Sequence, residues 1–135
     1  MPALTRWFLR SALAWLVISL LVGVALAAPR APALDALLPV SVHLFMVGWV
    51  TQTIFGVAYW MFPRFSADQP RRSEPLALVT YAGLNVGLIA RAIAEPMAAL
   101  GPGALWSALL VASAGLQWIA ALAFAVNTWA RVKAR

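Results

Sequence analysis

Four long apolar segments, parted by short stretches rich in charge and proline, constrain this chain more than any other feature. They run from Trp7 to Ala28, Pro39 to Phe62, Leu76 to Glu95 and Ala104 to Trp129. Each reaches the roughly 20 helical residues needed to cross a hydrocarbon core. None alternates apolar with polar residues as a barrel strand does, so helices are left as the way to satisfy the backbone in lipid. Composition agrees: 64% of residues are hydrophobic and 10% charged, where soluble domains carry about a quarter charged. The expected fold is all-α, a single domain over 1–135 with four transmembrane helices in an antiparallel bundle.

The net charge of +6 acquires meaning from its distribution. Arg6 and Arg10 flank the first segment, Arg64, Arg71 and Arg72 lie between the second and third, and Arg131, Lys133 and Arg135 end the chain. If all four segments cross, eight of the ten basic residues lie on one side. The positive-inside rule then puts both termini in the cytoplasm, with outer loops around Arg30 and Gly101, as expected in a bacterial-type inner membrane. Basic residues beside anionic lipid account for the high isoelectric point. No basic stretch is interleaved with stacking aromatics, so nucleic acid is not an expected partner. Cysteine is absent, which excludes disulfides, cysteine-held clusters and thiolate metal sites.

The N-terminus also resembles a signal peptide, with Arg6 and Arg10, an apolar run, and Ala25-Leu26-Ala27 as a small-residue cleavage pattern. Retention is the preferred reading, because the run is nearer spanning than signal length and four spans satisfy the charge pattern. Pro29, Pro32 and Pro39 argue against continuous helix in the first link. Ser73 and Glu74 before Pro75 make a start for the third helix. That helix is expected to stop before Pro96, and Gly101-Pro102-Gly103 to reopen the chain into the fourth. Gly48 and Gly56, Gly83 and Gly87, and Ala104, Ala108 and Ala112 are candidate sites of close helix packing. Trp7, Trp60, Trp106 and Trp129 fit interfacial anchoring, while Trp15, Trp49 and Trp118 fall deeper.

His43 is the only histidine. A titratable group inside a span is by default a functional candidate. Counting helical rise puts His43 roughly 6 Å in from Pro39 and Arg91 roughly 7 Å in from Pro96, both in the outer leaflet. A haem in a bundle needs an axial imidazole and a cation near the surface for its propionates. Arg91 has Glu95 four residues on, so pairing along its own helix is the alternative. His43 shares a face with Met46, Val47 and Val50, which suits a porphyrin or another helix equally. Gln52, Tyr59, Asn85 and Gln117 read as polar groups that knit helices together. No phosphate-cradling loop, carboxylate pair or nucleophile beside the histidine is present, which disfavours hydrolysis and phosphoryl transfer.

The string His43-x4-Gly48, then Phe55-Gly56-x3-Trp60-x2-Pro63, resembles the second transmembrane helix of the haem-copper oxidase subunit I superfamily, which includes the nitric oxide reductases. The resemblance covers about a third of the chain. It implies that His43 is an axial haem ligand and that Trp7 to Ala28 corresponds to helix one; with Arg91 as the propionate contact its depth allows, b-type haem is the expected cofactor. Catalytic members have about twelve spans and several further histidines, which this chain lacks, so no copper centre and no oxygen or nitric oxide reduction is expected of it alone. Four spans match one arc of that fold, which implies a homo-oligomer, trimer or dimer, or association with other respiratory subunits. Two readings result: a haem-binding protein for electron transfer or diatomic-gas binding, and a cofactor-free helical accessory or assembly subunit of a respiratory or nitrogen-oxide-handling complex. A transporter is disfavoured, since no charge falls at mid-membrane and no helix pair is broken.

Overall fold

The computed structural model describes residues 1–28 and 35–132. It is a bundle of four helices, each long and apolar enough to cross a membrane: α1 (Ala3–Leu26), α2 (Leu38–Met61), α3 (Glu74–Leu100) and α4 (Ala104–Trp129). Pro29, Arg30 and Pro32 of the first link, and Lys133 and Arg135 at the chain end, lie outside the described residues. The start of α3 follows its sequence signal: Ser73 is the N-cap, its hydroxyl accepts from the Leu76 N–H at 3.3 Å, and Pro75 sits in the first turn. The end does not. α3 passes through Pro96 and stops at Leu100, before the glycine-proline breaker. A proline removes one donor, yet breaking the helix there would strand several backbone groups in an apolar surround, so continuation costs less.

α1 packs along α2, and α3 along α4; the two hairpins meet chiefly through α2 and α3. One core cluster joins Phe8, Leu84 and Ala120, and a second joins Val40, Leu44 and Leu88. Phe55 of α2 stacks flat on Phe124 of α4 with ring centroids 3.8 Å apart. Gly48 and Gly56 let α1 approach, since a Cβ at either would fall 2.8 Å from the Trp15 side chain or 2.7 Å from that of Phe8. Gly83 and Gly87 do the same for α4. The expected packing face of α4 is corrected: Ala104, Ala108 and Ala112 point outward, and Ser113, Ala120, Ala123 and Asn127 are buried instead. Both sets follow helical spacing, and only the partner helix distinguishes them.

A segment of α2, Leu44–Thr51, is π-helical, with α-helix on either side. The Thr51 hydroxyl donates to the Met46 carbonyl at 2.8 Å, five residues back. At about 100° per residue, the nine residues from His43 to Gln52 would leave them on opposite faces of an α-helix. The wider i→i+5 winding turns less per residue, and over eight residues the lag approaches half a turn. Both side chains consequently face α3.

Arg131, grouped by sequence with the surface cations, is buried at 1% exposure. Its Nε donates to the Pro63 carbonyl at 3.1 Å, and one terminal nitrogen donates to Tyr59 and Phe62 carbonyls at 3.0 and 2.8 Å. These are acceptors left over at the C-terminal end of α2, where a cation is favoured. Asn127 holds the start of α3 in the same region, accepting from the Ser73 N–H and donating to its carbonyl at 3.1 and 3.0 Å.

Candidate functional site

Near the start of α2, residues from three helices form one polar cluster. His43 Nδ1 lies 2.9 Å from the Pro39 carbonyl, four residues back. A carbonyl only accepts, so Nδ1 carries the proton. Arg91 contributes a guanidinium nitrogen 3.3 Å from His43 Nε2. Arginine only donates, so Nε2 is the acceptor, and both contacts specify the same neutral tautomer. Glu95 Oε1 is 3.0 Å from Arg91 and 3.3 Å from His43 Nδ1. Arg91 Nε reaches the Ser113 hydroxyl at 3.3 Å, and that hydroxyl donates to the Gly87 carbonyl at 2.8 Å. Gln117 adds a contact to Ser113 at 3.4 Å.

The structure brings His43 and Arg91 together, although not at the depth counted from Pro96. Because α3 runs on to Leu100, Arg91 lies nine residues from its end, about 13 Å and not the roughly 7 Å counted from Pro96. Arg91 also makes the contact along its own helix to Glu95. Ser113 was not singled out from sequence; the available signal was a hydroxyl one turn before Gln117 on α4, opposite the small Gly87. A Cβ at Gly87 would meet the Ser113 carbonyl at 3.1 Å, so the glycine permits this approach.

A second polar layer lies deeper. The Trp15 indole and the Gln52 amide both donate to Asn85 Oδ1, at 2.9 and 3.0 Å, and Asn85 donates to the Tyr81 carbonyl at 2.8 Å. Ser11 and the Tyr81 hydroxyl are 2.8 Å apart. This layer ties α1, α2 and α3, the role expected of Gln52 and Asn85. Met46 is exposed, whereas Val47 packs in the core, so the residues thought to share a face with His43 are divided.

Axial ligation of haem requires an imidazole nitrogen with an open approach. The protonated Nδ1 suits a ligand, since it leaves the lone pair on Nε2. The direction of that lone pair is occupied by the Arg91 guanidinium, and the ring faces its own α3. In this arrangement the residues do not fit a haem iron. Among the described residues no group of three or more histidine, cysteine, aspartate or glutamate side chains is gathered as for a metal ion. No protein-family model, curated protein or solved structure matches this chain.

Proposed function

We propose that this chain is a helical accessory subunit of a membrane assembly, in which His43 serves as an interhelical hydrogen-bonding group. The observation that carries this reading is the use of both ring nitrogens within the chain, Nδ1 by Pro39 and Glu95 and Nε2 by Arg91. A half-buried ionic and hydrogen-bonded cluster of this kind holds α2, α3 and α4 in one register, a role seen for intramembrane polar groups that pair with one another. The outward row of Ala104, Ala108 and Ala112 on α4 suits close approach of a further helix, from another copy or another subunit. Both termini are assigned to the cytoplasmic side of a bacterial-type inner membrane from the basic residues at that end.

The haem reading stands second, supported by the Nδ1-protonated tautomer and by a cation beside the ring. It requires Arg91 to leave Nε2. Reduced-minus-oxidised absorbance of protein purified from a haem-sufficient host separates the two. The accessory reading expects no Soret band in the wild type. A band lost in His43→Ala would overturn it and restore the link to the haem-copper oxidase fold. Because the native chain has no cysteine, Ala108→Cys is a clean crosslinking probe. A disulfide-linked or bifunctionally linked product in membranes is expected, and a product only from an equivalent cysteine on a buried position would count against the outward face.

A further inference from the structure

At the end of the bundle where α2 finishes and α3 begins, a cavity of about 330 Å³ is lined by Trp60, Phe62, Arg64, Arg71 and Arg131, with no carboxylate in its wall. Asp68 and Glu74 line a neighbouring cavity together with Arg71. Among the described residues neither makes an ion pair with any of the three arginines. Arg131 spends its Nε and one terminal nitrogen on carbonyls at and just past the end of α2, and its other terminal nitrogen is buried with no partner. Arg71 Nε is likewise buried and unpartnered. The carbonyls orient Arg131 but carry no net charge, so among the described residues three guanidinium groups share one wall without a counterion. Buried donors on charged groups are costly when left unmade.

We infer that this cavity is a binding site for a phosphate group, held by Arg64, Arg71 and Arg131. Guanidinium groups suit phosphate oxygens by charge and by their paired donors. The position, at the end of four apolar helices and beside the exposed Trp60 ring, is where a basic pocket meets lipid headgroups. The same chemistry would take a free phosphate ion. Burial pulls the Arg131 guanidinium below its ordinary pKa; the Tyr59 side chain opposes this and the nearby Arg71 charge adds to it. An anion in the cavity would relieve both lowering effects.

The test compares the wild-type chain in neutral detergent with Arg64→Gln/Arg71→Gln, which leaves the Arg131 contacts to α2 intact. Native mass spectrometry reads retention of phosphatidylglycerol against phosphatidylcholine, and titration calorimetry reads binding of inorganic phosphate. A preference for phosphatidylglycerol that falls about fivefold for each charge removed, with unchanged helical circular dichroism, supports a lipid headgroup. Binding of inorganic phosphate that is lost in the double variant, without a lipid preference, supports a free phosphate. Neither a lipid preference nor phosphate binding in the wild type would overturn the inference, as would a preference that the double variant keeps.

Discussion

Arg91 is the residue on which most of the polar cluster near the start of α2 depends, because it alone contacts His43, Glu95 and Ser113. Removing it leaves the Glu95 carboxylate without its cation in a low-dielectric surround and Nε2 of His43 without a donor. Arg91→Ala should destabilise the bundle by about 3 kcal/mol. Arg91→Met combined with Glu95→Met should cost much less, because no charge is then stranded. Equilibrium unfolding in mixed detergent, run as a double-mutant cycle, checks both, and additive losses would contradict the pairing. Arg131 is a separate case, since its partners are carbonyls. Arg131→Ala should cost about 2–3 kcal/mol by leaving the end of α2 unsatisfied. Arg131→Lys should recover only part, since a single ammonium cannot reproduce the planar fork that spans the Tyr59, Phe62 and Pro63 carbonyls. The pairing of Arg91 with Glu95 was legible from their i,i+4 spacing, whereas the role of Arg131 was not. An arginine two places after a tryptophan at a helix end reads as an ordinary surface anchor until the chain is folded back on α2.

Within the helices, close approach depends on a few glycines. Gly48→Ala and Gly56→Ala would each drive a methyl group into α1, and a loss of about 1–3 kcal/mol is expected for either. At Gly115 a Cβ meets nothing within 4 Å, so Gly115→Ala should be neutral or stabilising by up to about 1 kcal/mol. The same unfolding assay ranks the three, and equal effects would show that packing against α1 is not what matters. The π-helical stretch of α2 belongs at this level too. An α-helical reading of the sequence cannot place His43 and Gln52 on one side, because it assumes a constant turn per residue. Local sequence carries little warning of a π segment; within it, Gly48 leaves no room for a Cβ against Trp15 and Leu88.

For the molecule as a whole, the charge distribution makes a topological prediction. A reporter that is active only in the cytoplasm, fused after Arg135, should be active, and the same reporter placed at Gly101 should be silent. The reverse pattern would invert the orientation assigned here. Number and helical character of the spans were legible in the sequence, because the cost of exposing backbone polar groups to lipid is set by local composition and hardly depends on what packs against each helix; the continuation of α3 through Pro96 to Leu100 was not. The cap at Ser73 was legible for the same local reason. Glycines marked the close-packed faces of α2 and α3, but the inward face of α4 was a different matter, since in lipid an apolar residue gains little by choosing one side over another. The outward turn of Ala104, Ala108 and Ala112, the burial of Arg131, and the convergence of His43, Arg91, Glu95 and Ser113 were therefore set by long-range contacts. The sequence marked His43 as a group that needed a partner; folding supplied Arg91, from 48 residues away in the chain, because only there do a donor and a counter-charge satisfy one another out of water.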